Sequence, residues 1–414
     1  MTLPDRIWVP AAAGALLALL FAGALLVRAE GDVSLLVHAG APCTTRDAAP
    51  PLRACDASVR ADAADRPYRS SGAPGSLTVQ PADDAFDGQF FYRIGVSPWS
   101  EDERVAGVQH DLPALRNARW GYGALAWATS GGDPDLVPWS LLVVNVAAVA
   151  AIGAVGGALA RTARQHAAWG LAFVVWPGFA YSLSLDTSEL VAMAFALAGL
   201  LQLRRRKPVG AAVLLTAAVL TRDTTFVIAL GVLAGGLWSL RPNSEFRVGG
   251  RAAVRAGSWP VAAFVVWQEV QRARFGAFPL TSSGDNNLAL PLTGLFDQLQ
   301  ASFPPGGGEE AFRLLNIAVL LALLVVAGWA ARTDERQHLG AEQVAWLGAV
   351  AVVVLLNPYL WSGATAFMRA ATEAGVLSIL LLLRSGRVRA LAWASAGLGG
   401  LWLLTAAAQV AKLG

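Results

Sequence analysis

The run LVPWSLLVVNVAAVAAIGAVGGALARTAR occupies residues 136–164. From Leu136 to Ala160 it carries no charged side chain, and it exceeds the ~20 residues a helix needs to cross the hydrocarbon core. It then stops at Arg161 and Arg164. An apolar run closed by arginines reads as a membrane span whose cytoplasmic end is marked.

The pattern recurs along the chain. Of 414 residues, 55% are hydrophobic and only 15% charged, against about 25% charged in a soluble domain. Further apolar runs lie at 8–27, 166–185, 188–203, 208–221, 224–240, 254–272, 311–331, 341–360, 364–383 and 389–411. The expected fold is therefore an all-α polytopic membrane protein, one membrane domain over 1–414, with eleven crossings. The first run is too long for a signal-peptide core of about 7–15 residues, so it is expected to stay in the membrane. The pair 208–221 and 224–240 also reads as one broken helix.

Arginine placement orients the chain. With the N-terminus inside and 112–130 lying at the outer interface without crossing, the clusters RTAR (161–164), RRRK (204–207), Arg241–Arg251, Arg332 with Arg336, and Arg384–Arg389 all fall on the cytoplasmic side. Residues 29–135 then form a long external loop between the first and second spans. The net charge of +3 comes from these clusters; it is loop patterning rather than a nucleic-acid stripe. Cys43 and Cys55 both lie in the external loop. They read as a disulfide in an oxidising compartment or as two unrelated thiols.

The external side collects the uncommon polar residues. DAFDGQFFYRI (84–94) places Asp87 before Phe90, Phe91 and Ile94 at i+3, i+4 and i+7. Asp87 reads as a helix N-cap on a helix lying in the interface, as a general base held at the water–lipid boundary, or as both. LTRDTT (220–225) leaves almost no room for a loop, so Arg222 sits near the membrane surface and needs a partner, either Asp223 or a phosphate. Arg369 and Glu373 stand i,i+4, as a buried salt bridge or as a phosphate ligand with its orienting carboxylate. Arg116 and Arg119 share a face, either as headgroup anchors or as site residues. Asp133 and Asp135 form an Asp-x-Asp, but Pro134 marks a turn rather than a metal site. His38, His110, His166 and His338 lack zinc-ligand spacing. There is no phosphate-binding G-x-x-x-x-G-K-[ST] loop and no G-x-S-x-G elbow.

FDGQFFYRIG (86–95) followed by DLPALRNARWGYGALAW (111–127) resembles a family of bacterial GT-C type membrane glycosyltransferases, and LTRDTTFVIALG (220–231) is similar to an Arg-Glu-Thr segment of several of them. The motifs lie mainly in 84–127 and 218–231, with Phe86, Asp223, Trp120 and Gly121 departing from the usual pattern. The resemblance implies a multi-pass protein of the bacterial plasma membrane with its active site on the outer face. The donor would be a sugar on a polyprenyl phosphate; the acceptor would be a glycan, lipid or protein hydroxyl. Asp87 would be the base, with Asp84 as the fallback, and Gln89, Tyr92, Arg119, Arg222, Arg369 and Glu373 would contact substrate. Phosphate is already a good leaving group, so no cofactor is required, and a divalent metal is compatible with the chemistry. The competing readings are a secondary transporter or flippase for an anionic or lipid-linked substrate and, more weakly, a scaffold.

The sidedness is open to direct measurement. On a cysteine-free background, a membrane-impermeant thiol reagent should label Asp62→Cys in intact cells and leave Arg206→Cys unlabelled. Labelling at 206 would overturn the eleven-crossing topology.

Overall fold

The computed structural model describes residues 5–40, 77–80, 85–102, 104–241, 249–282, 287–332 and 340–413, with 68–69 described by backbone alone. Cys43, Cys55 and Asp84 lie outside these residues, and so do the expected disulfide and the fallback base.

Among the described residues the fold is a helical membrane bundle with two small sheets at its margin. The first helix, α1, is Trp8–Arg28. The segment that follows pairs β1 (Ala39–Gly40) parallel to β3 (Thr78–Gln80), with β2 (Tyr68–Arg69) antiparallel on the other side of β3. It continues through α2 (Gly88–Val96), the β4–β5 hairpin (Arg104–Val105 and Val108–Gln109), α3 (Pro113–Ala118) and α4 (Trp120–Ser130). Segment 112–130 is thus two helices of 6 and 11 residues, neither of span length.

The bundle proper then runs through α5 (Val137–Thr162), α6 (Gly170–Val174), α7 (Pro177–Ser184), α8 (Glu189–Arg204), α9 (Pro208–Thr221), α10 (Phe226–Ser239) and α11 (Gly250–Phe275). Two short helices, α12 (Pro279–Ser282) and α13 (Thr293–Ser302), precede α14 (Gly308–Arg332), α15 (Ala341–Val354), α16 (Pro358–Trp361), α17 (Ala364–Ala370), α18 (Thr372–Arg384) and α19 (Val388–Lys412).

Every apolar run of the sequence falls on helix, but the lengths differ from eleven uniform spans. Among the described residues, α1, α5, α14 and α19 are individually long and apolar enough to cross, and the total reaches six if the bent stretches Ala167–Ser184 and Ala364–Arg384 each count once. Those stretches turn by 60° and 55°. Pro177 starts the second half of the first, where its missing N–H is harmless at N1. A 3₁₀ turn at Asp223–Thr225 separates α9 from α10, so 208–240 is two helices.

Helices associate here through small residues, as expected where lipid removes the hydrophobic drive between them. A Cβ built on Gly235 of α10 would lie 2.6 Å from Ala341 Cα of α15, so the two backbones touch. At the same level a buried carboxylate pulls three helices together. Glu342 of α15 is bound by Arg204 of α8 through two bonds of 2.7 Å and by Arg384 of α18 at 3.0 Å. Glu342→Ala removes the shared anion and leaves two guanidiniums facing each other. The expected loss is on the order of 3 kcal/mol, read as a lower unfolding midpoint in detergent; an unchanged midpoint would mean that the clamp contributes nothing.

Candidate functional site

The far ends of the same two helices build the site. Glu189 opens α8 and Glu373 lies in the first turn of α18, while Arg204 and Arg384 close them. The two helices run parallel, since Arg204 and Arg384 share Glu342 at one end while Glu189 and Glu373 share Arg222 at the other. The chemistry-bearing groups gather at their N-terminal ends.

Helix α2 enters this region with very little clearance. A Cβ on Gly88 would stand 2.5 Å from Val37 O and 2.6 Å from Leu185 O, so only glycine lets the helix start there. Phe86 N donates to His38 O at 2.9 Å and fixes the approach. Asp87 occupies the N-cap position but already has helical backbone angles, φ −63° and ψ −20°, and its side chain caps nothing. The expected capping role is thus corrected: the carboxylate is turned away to meet guanidiniums. The expected lipid contact is corrected as well. Gly88 through Gly95 are all buried within the protein. Phe91 packs edge-to-face on Tyr122 of α4 at 5.1 Å, and the helix is held by neighbouring helices rather than by the bilayer.

Three arginines converge on Asp87. Arg116 Nη1 lies 2.7 Å from Oδ1, and Arg119 Nη1 and Arg369 Nη2 each lie 3.5 Å from Oδ2. Burial alone would raise the Asp87 carboxyl, but Arg116, Arg369 and Arg119 together outweigh it and hold it well below the usual carboxylate range. Arg116 also grips Asp111 through two bonds of 2.6 Å and stacks over the Phe90 ring at 4.2 Å. Arg119 stands at the break between α3 and α4, and its Nε donates to Asp223 at 3.2 Å. So Arg116 and Arg119 reach one carboxylate, and neither serves only as a headgroup anchor.

A second layer lies beneath. Arg222 Nη1 donates to Glu189 Oε1 at 2.5 Å, its Nε to Glu373 at 3.1 Å, and its Nη2 to the Arg369 carbonyl at 3.0 Å. Arg369 Nε meets the same Glu189 oxygen at 2.7 Å. The hydroxyls of Thr224 and Ser182 donate to Glu373 at 2.6 Å and to Glu189 at 3.0 Å. The expected Arg369–Glu373 bridge is replaced, because the chain breaks between α17 and α18 and the i,i+4 geometry is lost. Arg369 turns to Glu189 and Asp87, and Glu373 turns to Arg222. Asp223 likewise pairs with Arg119 rather than serving as the close partner of Arg222.

The layers differ in access. The Asp87 side chain is 23% exposed and Arg116 and Arg119 are 17%, whereas Glu189 is 0% and Arg222 is 6%. Anything arriving from outside meets the upper layer. A cavity of about 260 Å³ opens beside it, lined by His38, Gln80, Phe86, Ser184, Gln409 and Lys412 among others. Phe86 is the shared wall, since the Arg369 guanidinium lies over its ring at 4.6 Å.

Gln89 and Tyr92 lie away from the Asp87 carboxylate. Gln89 Oε1 accepts from Gly40 N at 3.2 Å and so ties α2 to the first sheet. Tyr92 faces a separate cavity, lined also by Asp32, Asp135 and Trp139, and among the described residues no group bonds its hydroxyl. Asp133 accepts from Asp135 N at 2.9 Å, as in a turn. Among the described residues no three His, Cys, Asp or Glu side chains converge as metal ligands. Glu189 and Asp111 complete the network without having been singled out as site residues. The available signal for Glu189 was a lone carboxylate at the head of an apolar helix, which needs a partner in the membrane. Comparison with family models, curated proteins and solved structures finds no match for this chain.

The Asp87 pairing sets a pH signature. A depressed carboxyl contributes stability above its unfolded value of about 3.9 and loses it only as pH falls towards the folded value. The gap in unfolding midpoint between wild type and Asp87→Asn should therefore stay constant from pH 8 to pH 5 and close only below about pH 4. Closure already at pH 6 would show that the guanidiniums do not hold the carboxylate.

Proposed function

We propose that the chain is an integral membrane glycosyltransferase of GT-C type that moves a sugar from a polyprenyl phosphate to a hydroxyl on the outer face. The observation that carries this reading is the junction of its two motif stretches. Residues 84–127 supply Asp87, Arg116 and Arg119, residues 218–231 supply Arg222 and Asp223, and the two meet at the 3.2 Å Arg119–Asp223 bond. A partly open carboxylate ringed by guanidiniums matches a reaction that needs one base and one anion site. The eleven-crossing topology belongs to the same proposal and puts this junction outside. Trp99, Trp120 and Trp267, clustered at 4.8 and 6.1 Å, suit the water–lipid boundary at that depth.

The chemistry follows from competition for the arginines. The donor phosphate binds Arg116, Arg119 and Arg369, the set now shared with Asp87. As those guanidiniums turn to the phosphate, their pull on Asp87 weakens and its basicity rises. The acceptor oxygen forms its bond to the anomeric carbon while the carbon–phosphate oxygen bond breaks. Asp87 takes the acceptor proton, and polyprenyl phosphate leaves with its charge on the arginines. Arg222, enclosed by two carboxylates, positions Arg369 and Glu373 from below.

The test is a panel of polyprenyl-phosphate sugars, scored first by protection from thermal unfolding and then by turnover. Asp87→Asn should keep donor protection and lose at least about 100-fold in rate. Arg119→Ala should weaken donor protection together with kcat/KM. Arg222→Ala should chiefly lower the unfolding midpoint, because it leaves buried Glu373 without a guanidinium and Glu189 with Arg369 alone. An Asp87→Asn enzyme that turns over normally would remove Asp87 as the base.

A further inference from the structure

The turn between α7 and α8 carries a carboxylate that the ion network never touches. Asp186 is fully buried, three residues before Glu189, and among the described residues no donor other than the neighbouring Tyr122 hydroxyl reaches its oxygens. The Arg222 and Arg369 side chains stop at Glu189. The single Tyr122 proton is divided between Asp186 and Leu141 O, the latter at 2.9 Å.

Asn145 of α5 completes the enclosure. Its Nδ2 faces three acceptors: Tyr122 OH at 2.7 Å and the carbonyls of Ser182 and Thr187 at 3.4 Å each. The two carbonyls favour this amide orientation, because a flipped carboxamide would point its oxygen at both of them. The Asn145 Oδ1 that results is buried and, among the described residues, without a donor. The turn around it is held by Thr187 N donating to Ser182 O at 3.1 Å. Asp186 adopts φ +45°, a left-handed conformation that aspartate accepts more readily than most non-glycine residues. Full burial and under-satisfied acceptors thus coincide on oxygen atoms.

An ionised carboxylate in such a place needs a counter-charge. One carboxylate and neutral oxygens match a single positive charge, and the hard oxygen set matches an alkali ion rather than a soft metal. The arginines gathered around Glu189 add positive potential nearby and disfavour a divalent ion. We propose that Asp186 and Asn145, with the Tyr122 oxygen, form a buried monovalent-cation site of the sodium class that braces the α7–α8 turn and thereby positions Glu189. The site stands independently of glycosyl transfer, since it rests on none of the groups assigned to donor or acceptor.

The experiment uses the full chain purified in detergent, with unfolding midpoints measured in chloride salts of sodium, lithium, potassium and choline at equal ionic strength. At least one alkali ion should raise the midpoint saturably by about 2–4 °C over choline. Asp186→Asn should abolish that difference while keeping a midpoint in choline at or above that of wild type. Equal midpoints in all four salts would overturn the proposal: Asp186 would then be a neutral acid or bound to an ordered water only. Retention of the sodium effect in Asp186→Asn would overturn it as well. If Asp186→Asn does not fold, the wild type decides, by retention of one radioactive sodium ion per chain through gel filtration or of none.

Discussion

The Arg222 guanidinium, held between Glu189 and Glu373, is the interaction on which the rest depends. It brings together the heads of α8 and α18 and the end of α9, and its bond to the Arg369 carbonyl fixes the break between α17 and α18. Away from water, a guanidinium with only one carboxylate, or a carboxylate with none, would be far costlier than this shared arrangement. The closed layer therefore behaves as a rigid floor, and Arg369, bonded to that floor, is presented upward to Asp87.

The upper layer is organised differently. Its carboxylates and guanidiniums have alternative partners within reach: Arg116 divides itself between Asp87 and Asp111, and Arg119 between Asp87 and Asp223. An incoming anion can share Arg116 and Arg119 while each keeps its second carboxylate, Asp111 or Asp223, and only Asp87 loses counter-charge. Rigidity below and exchangeability above is a division that a substrate-binding surface requires.

Much of the architecture is legible in the sequence because lipid imposes simple demands. Apolar runs ended by arginines give helices, and the helices form where those runs stand. The lengths are less legible, since α9, α10 and α15 have 14 residues each and the bend at Ala371, unlike the one before Pro177, has no proline or glycine to mark it. In the site, Asp87, Arg119, Arg222, Arg369 and Glu373 are found together, but their pairing is not the one that spacing implies. The i,i+4 rule fails at Arg369 and Glu373 because it presumes an unbroken helix. Glu189 looks in sequence like an ordinary first-turn acid, and only the fold shows two arginines reaching it. Tyr92 and Gln89 follow Asp87 closely in the motif, yet helical rotation sends them to other surroundings.

The parallel pair α8 and α18 is tied at both ends, by Arg222 and Arg369 above and by Glu342 below. Inheritance feels this arrangement. A lineage that lost Arg222 alone would pass through a form in which Glu373 has no guanidinium and Glu189 keeps only Arg369, so change at Glu189, Arg222 and Glu373 is channelled into joint replacement. The exposed pair Glu269–Arg272, at 57% and 56% exposure, carries no such restriction. Descendants of this chain should therefore drift freely on the rim of α11 while the three residues at the heads of the bundle vary together or not at all.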